Sequence, residues 1–141
     1  MRLAFALAKK GLNNTGSNPM VGAVLVKNGL IIGKGYHVEF GGLHAEANAI
    51  KDAERKGFSV KNAKLFVTLE PCLMCCGALI HARFEKVIFS TLDKKSGAVI
   101  SNGNLLEANF VNHYVKFEQG PLQEESSALL KEFFKIKRSK V

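Results

Sequence analysis

The residues best suited to chemistry lie in two short motifs near the middle of the chain. His44-Ala45-Glu46 is followed by Pro71-Cys72-Leu73-Met74-Cys75, so the chain supplies an imidazole, a carboxylate and two thiols in that order. Zinc binds neutral imidazole and thiolate readily, and a catalytic zinc site keeps three protein ligands so that its fourth position can hold water. His44, Cys72 and Cys75 are therefore predicted to bind zinc.

Glu46 is predicted to carry protons rather than to bind the metal. It lies two residues after His44, beside the expected position of the metal-bound water. Zinc lowers the pKa of its water from ~15.7 toward ~7, and a carboxylate that takes and returns that proton adds ~10²–10⁴-fold in rate. The combination predicts attack of hydroxide on a carbon that bears an amine leaving group.

Two other interpretations of the cysteines stay open at this stage. A C-x-x-C pair in a cytosolic α/β protein can be a redox motif, although such a motif needs no upstream His-x-Glu. A structural zinc site closes with a fourth Cys or His, and Cys76, the spare thiol, points about 100° away from Cys75 on a helix. Cys76 is predicted to be a small buried side chain, and His81 and His113 are predicted not to be ligands.

Alternating strands and helices are expected to position these motifs. An amphipathic first helix around Leu3 to Ala8 is predicted by its apolar spacing, and Asn28-Gly29 predicts a hairpin. Both metal motifs are predicted to lie at helix N-termini, where Pro71 suits a first helical position. The remaining pattern predicts strands at 21–26, 30–35, 64–69, 85–90 and 114–118, helices from about 44 to 55, after Pro71 and from 122 to 136, and a loop over most of 92–109.

Composition limits the class of protein. With 141 residues, three cysteines and a formal net charge of +8, the chain is predicted to be a single domain (1–141) in the reducing cytoplasm, with no membrane segment. The positive charge predicts a polyanionic partner or, more simply, a solvated basic surface. Between Lys131 and Val141 there are five Lys or Arg residues and one Glu, and such a segment can follow phosphates.

The two metal motifs resemble the signature of the zinc-dependent cytidine and deoxycytidylate deaminase superfamily. Within it, the segment from Val67 to Arg83 is similar to tRNA adenosine deaminases, and the likeness continues through residues 93–98, 112–113 and 128–134. The resemblance implies a three-layer α/β/α fold with a central five-stranded mixed sheet. It also implies a homodimer, whose two subunits together shape the RNA site.

The first half of the chain is more similar to the deaminase domain of riboflavin biosynthesis. This likeness rests on residues 17–24, on Gly35-Tyr36-His37 and on the short loop before His44. An asparagine and a histidine at the positions of Asn18 and His37 help to hold the substrate in those enzymes. However, that family has a longer insertion between its two cysteines and its bacterial members usually carry a reductase domain; this chain shows neither.

Taken together, these features predict a zinc-dependent enzyme that converts the wobble adenosine of tRNA anticodon loops to inosine. By resemblance, Asn18, His37, Ala45 and Asp93 are expected to border the substrate, and neither a membrane nor DNA is expected as a partner. One alternative is a deaminase of a small free substrate, such as a pyrimidine nucleotide of the riboflavin pathway or a free base or nucleoside. The other is a non-catalytic RNA-binding module with zinc, which has no need of Glu46.

Overall fold

The computed structural model describes residues 1–139, so Lys140 and Val141, the last residues of the basic tail, lie outside it. Within residues 1–139, four α-helices and five strands follow one another. The helices are α1 (Arg2–Ala8), α2 (Ala45–Arg55), α3 (Leu73–His81) and α4 (Gln123–Ser139); the strands are β1 (Gly22–Lys27), β2 (Leu30–Tyr36), β3 (Lys64–Leu69), β4 (Lys86–Thr91) and β5 (Lys116–Gln119). Short 3₁₀ turns lie at Lys9–Gly11 and Leu105–Glu107.

The predicted hairpin is confirmed. β1 and β2 pair antiparallel around Asn28 and Gly29, whose φ angles are 52° and 78°. Positive φ at both central residues is the geometry of the type I′ turn, which matches the twist of the flanking strands. The register shifts between Leu25 and Val26, a β-bulge that the sequence pattern does not predict.

The five strands form one mixed sheet, as expected, in the order β2-β1-β3-β4-β5. β1 is antiparallel to β2 and β3, whereas β3, β4 and β5 are parallel. The carboxyl ends of β2, β3 and β4 and the start of β1 therefore lie along the same edge of the sheet. The loops that leave this edge lead to the metal motifs and to Asp93.

Helices cover both faces of the sheet, in agreement with the predicted three layers. α2 and α3 share a large core with alternate residues of the strands, including Leu25, Leu65 and Val67. α1 covers the opposite face, where Ala4 and Leu7 pack against Val24. α4 packs against β4 and β3.

Close packing of β2 against α2 depends on Gly35. A Cβ at this position would lie 2.4 Å from the backbone nitrogen of Ala49 and 2.6 Å from the carbonyl oxygen of Ala45. The absence of a side chain thus lets the helix that begins beside His44 lie directly on the strand.

A second link between α2 and β2 is made by Asp52. Its Oδ2 accepts a hydrogen bond from the backbone N–H of Lys34 at 2.9 Å, and its carboxylate also meets Arg55 and Lys56. Burial alone would raise the pKa of Asp52, but the hydrogen bonds from Lys56, Lys34 and Arg55 lower it to about 2. The carboxylate therefore stays charged in all but strongly acidic solution.

The structure differs from the predictions at several element boundaries. The helix after Pro71 starts at Leu73 with Cys72 at its N-cap, because the Pro71 carbonyl instead accepts a hydrogen bond from the N–H of Ala98 at 2.9 Å. The last strand starts two residues later and ends one residue later than predicted, at Lys116–Gln119, where it pairs with β4. Among residues 1–139, no helix is both long and apolar enough to cross a membrane.

Candidate metal centre and active site

His44 and Cys72 occupy equivalent positions in the fold. Each is the N-cap residue of a helix, with extended backbone geometry, at the same edge of the sheet. Because α2 and α3 both pack on one face of the sheet, their first turns bring the imidazole, the two thiols and Glu46 together.

The distances among the three donors fit a tetrahedral zinc ion. The His44 Nδ1 atom lies 3.7 Å from the Cys72 Sγ and 3.5 Å from the Cys75 Sγ. Zn–S bonds of ~2.3 Å and Zn–N bonds of ~2.0–2.1 Å at tetrahedral angles require a separation of about 3.6 Å. In residues 1–139, His44, Cys72 and Cys75 form the metal-ligating cluster, so the predicted ligand set comes together with three donors rather than four.

The two thiols differ in acidity because they share a hydrogen bond. The pKa of Cys72 is lowered to about 5, mainly by the bond with the Cys75 side chain; N–H groups of the first helical turn and His44 also lower it, whereas burial opposes the shift. The bond with Cys72, together with burial, raises the pKa of Cys75. The hydrogen bond therefore favours the thiolate at Cys72, and binding of a metal would release the proton of Cys75.

Glu46 lies beside this cluster and is 5% exposed. Burial is the main reason why its pKa is raised, and the negative charge of Cys72 adds to the effect. A carboxyl group beside the three predicted ligands can take a proton from one reacting group and give it to another. The position agrees with the proton-carrying role expected from the sequence.

All four residues expected to border the substrate line one small cavity with the cluster. Its volume is about 230 Å³ and its walls include Asn18, His37, Ala45 and Asp93, together with Glu46 and Cys72. His37 is 4% exposed; its ring lies with Nδ1 at 2.9 Å from the Leu43 carbonyl oxygen and Nε2 at 3.1 Å from the Asn18 Oδ1. The pair is thus fixed in orientation before any ligand enters.

A larger groove of about 660 Å³ adjoins this cavity. The two share five lining residues, namely Asn18, Pro19, Leu69, Asp93 and Ser96. Farther out, the groove is lined by Phe134 and by four basic side chains, Lys94, Lys95, Lys131 and Arg138. Within the part of the chain that the structure describes, none of the four forms an ion pair.

Cys76, His81 and His113 lie outside the cluster within residues 1–139. Cys76 is fully buried, with its Sγ 3.8 Å from the Pro71 carbonyl oxygen. His81 is exposed, the Nε2 of His113 lies 2.7 Å from the Phe84 carbonyl oxygen, and neither belongs to the metal cluster. Phe133 is a core residue at 3% exposure.

One residue of the site was missed by sequence reasoning. Glu70 is 2% exposed and its carboxylate accepts hydrogen bonds from the backbone of Asp93, Val99 and Ile100 and from both donors of Ser101. Burial alone would raise the pKa of Glu70, but these hydrogen bonds keep it below its usual value. The available signal was an acidic residue directly after the apolar strand β3, since a carboxylate in that position needs several donors.

Comparison with known proteins connects this geometry to a family and to relatives of two kinds. Residues 1–91 match the family described as the cytidine and deoxycytidylate deaminase zinc-binding region. The chain is 45% identical over 147 residues to a tRNA-specific adenosine deaminase of Aquifex aeolicus, covering 100% of this chain and 95% of that protein. It is also 37% identical to a diaminohydroxyphosphoribosylamino-pyrimidine deaminase of Buchnera aphidicola, covering 96% of this chain and 91% of that protein.

The similar solved structures are also of these two kinds. The deaminase/reductase of Thermotoga maritima, which acts on diaminohydroxyphosphoribosylaminopyrimidine, superposes with a TM-score of 0.81 at 38% identity; the match covers 99% of this chain but 40% of that protein. A structure from a study of A-to-I editing by tRNA:A34 deaminases superposes with a TM-score of 0.79 at 30% identity, covering 92% of this chain and 97% of that one.

Proposed function

The chain belongs to the cytidine and deoxycytidylate deaminase family with a zinc-binding region, and on that premise we propose that it converts the wobble adenosine of tRNA anticodon loops to inosine. In this reaction water replaces the amino group at C6 of the base and ammonia leaves. The observation that carries the proposal is a small cavity beside the predicted zinc ligands that shares a wall with a larger groove lined by four basic side chains. The tRNA-specific relative at 45% identity supports it.

The residues of the site have different roles in the proposed deamination. His44, Cys72 and Cys75 hold the zinc ion, which, when bound, makes water nucleophilic near neutral pH. Glu46 takes a proton from the incoming water and delivers it to N1 of the base. It then passes the second proton, from the new hydroxyl at C6, to the departing amine, so that ammonia leaves and C6 keeps a carbonyl oxygen. Asn18 and His37, already held in place by their mutual hydrogen bond, orient the base and sugar, while Ala45 and Asp93 bound the cavity.

The size of the cavity supports entry of one base rather than of a whole nucleotide. Pockets that enclose complete small ligands have volumes of ~300–1,000 Å³, whereas this cavity has about 230 Å³. A base of a single-stranded loop can turn out of its stack and enter such a pocket without the opening of a duplex. The rest of the substrate would then lie in the adjoining groove.

The groove has the composition expected of a surface that binds single-stranded RNA. Lys94, Lys95, Lys131 and Arg138 provide positive charge for phosphates. Phe134 provides a half-buried aromatic ring on which a neighbouring base can stack. A free mononucleotide has no use for this extended surface.

A second candidate is deamination of a free pyrimidine nucleotide of the riboflavin pathway. It is favoured by the pairing of Asn18 with His37 and by the relatives of that activity at 37% and 38% identity. One of these relatives is matched over 91% of its length, so a reductase domain is not a general companion of such deaminases. The presence or absence of such a domain therefore does not decide between the two candidates.

Product analysis on defined substrates separates the two candidates. Purified zinc-loaded protein is incubated with an anticodon stem-loop that contains adenosine at the wobble position and, separately, with free adenosine and pyrimidine nucleotides. Mass spectrometry is expected to find inosine in the stem-loop and no turnover of the free compounds. Turnover of the free compounds alone would contradict the proposal.

Charge variants test the role of the groove. Lys131→Gln and Arg138→Gln are expected to lower kcat/KM for the stem-loop, and each should reduce the slope of log affinity against log salt by about 0.7, the contribution of one phosphate contact on a single strand. Lys61→Gln is the matched control, because Lys61 is exposed in the turn before β3, at the opposite edge of the sheet. Equal effects of all three variants would show that only net charge matters.

We further propose a homodimer in the cytoplasm. Leu73 and Met74, in the first turn of α3, are 65% and 61% exposed, and adjacent exposed apolar side chains can form part of a protein–protein contact. Three free cysteines are consistent with a reducing compartment. Native mass spectrometry is expected to give twice the chain mass for the wild type and the single mass for Met74→Glu; a wild-type monomer would contradict the proposed dimer.

A further inference from the structure

Glu70 is a buried acid with an unusual set of partners. Its Oε2 accepts hydrogen bonds from the N–H groups of Val99, Ile100 and Ser101 at 3.1, 2.8 and 2.9 Å. Its Oε1 accepts from the N–H of Asp93 at 3.0 Å and from the Ser101 hydroxyl at 2.5 Å. Within residues 1–139, it forms no ion pair, so backbone dipoles stabilise the charge where a cation is more usual.

The segment 97–101 is wrapped around this carboxylate. A Cβ at Gly97 would lie 2.2 Å from the Glu70 Cδ, so only glycine allows the backbone to approach so closely. Ala98 donates its N–H to the Pro71 carbonyl, and Gly97 forms a bridge with Cys72. The segment is thus anchored to the stretch that leads into the metal-bearing helix.

The same segment determines where one wall of the cavity lies. Asp93 and Ser96 both line the cavity, and Asp93 is held directly through its N–H to Glu70. The turn between them is internally rigid, because Asp93 Oδ1 accepts from Ser96 at 3.1 Å and the Asp93 carbonyl accepts from Gly97 at 2.8 Å. Glu70 therefore connects a preformed turn to the core of the protein.

We propose that Glu70 is a positioning residue for the deamination, which holds the segment 93–101 so that Asp93 and Ser96 form the substrate-facing wall of the cavity. The proposal rests on the proposed function for its substrate but not for its structural part. Glu70 does not hold the metal in this scheme. Its loss should therefore weaken substrate binding while the zinc stays in place.

Glu70→Gln tests this scheme because it keeps the shape of the side chain but places an NH₂ group against backbone donors. We expect at least a tenfold rise in KM, a smaller fall in kcat and unchanged zinc content by mass spectrometry. Amide hydrogen exchange of residues 93–101 should become at least tenfold faster, and this result requires no substrate. Glu85→Gln, the same change at an exposed site, is the control and should behave as the wild type.

Two further variants keep the test decisive if Glu70→Gln folds poorly. Ser101→Ala removes the one side-chain donor and should produce a weaker form of the same changes. Gly97→Ala places a methyl group against the Glu70 carboxylate and should reproduce the changes in KM and in amide hydrogen exchange in full. A normal KM with normal amide hydrogen exchange, or loss of zinc as the primary effect, would overturn the proposal. A wild-type protein that does not act on the stem-loop would instead refute the proposed function, and the hydrogen-exchange result would remain valid.

Discussion

Replacement of Gly35 by alanine is expected to displace the helix that carries His44 and Glu46. The added Cβ would lie 2.4 Å from the backbone nitrogen of Ala49, whereas ordinary contacts begin at 3.4 Å. The obstructing atoms belong to the helix backbone and cannot rotate aside, so α2 must move by about 1 Å. A misplacement of about 1 Å costs on the order of 10²-fold in rate, and overpacking of a core costs about 1–3 kcal/mol in stability.

Three measurements on Gly35→Ala check this reasoning. Urea unfolding should show the loss of stability, metal analysis should show weakened zinc binding, and the deamination rate should fall by about 10²-fold. Gly77→Ala is the control, since a Cβ there meets nothing within 4 Å and alanine within a helix adds about 0.5–1 kcal/mol of stability. If Gly35→Ala had the rate and stability of the wild type, the packing argument would be wrong.

Three other predictions concern the centre and the fold. Glu46→Gln is expected to lower the deamination rate at least ~10²-fold with normal zinc content and RNA binding; activity near that of the wild type would disprove its role. Removal of zinc by a chelator should abolish activity and lower the melting temperature, and Cys72→Ser should bind less zinc, whereas Cys76→Ser should retain it. Asp52→Asn should lose about 1 kcal/mol of stability at neutral pH. Because the folded-state pKa of Asp52 is about 2 and the unfolded value is ~3.9, the difference in stability between variant and wild type should shrink as the pH falls from about 4 to 2. A difference in urea unfolding that does not change with pH would contradict this prediction.

The features that could be predicted from the sequence depend on residues that lie close together in the chain. Asn28-Gly29 predicted the hairpin because few other residue pairs adopt positive φ at both positions. The metal ligands were predictable because zinc restricts both the type of donor and, in the C-x-x-C pair, the spacing. The same holds for Cys76, whose direction follows from the helical turn.

Features that depend on distant parts of the chain were not predictable in this way. The donors to Glu70 lie 23 to 31 residues beyond it, and no local pattern shows that they will meet it. The late start of α3 has the same origin, because the Pro71 carbonyl is taken by Ala98. The basic tail was visible in the sequence, but the place of Lys131 and Arg138 in the groove depends on how α4 packs against the sheet.

The hydrogen bond between Lys34 and Asp52 also opposes aggregation between copies of the protein. β2 is an outer strand of the sheet, and outer strands with free N–H groups can recruit strands from other molecules. The Asp52 carboxylate occupies the Lys34 N–H, while exposed Leu30 and Ile31 lie farther along the same strand. Loss of this carboxylate would free one more N–H on the outer strand for pairing with another molecule, and the bulge between β1 and β2 would remain as a barrier to such pairing.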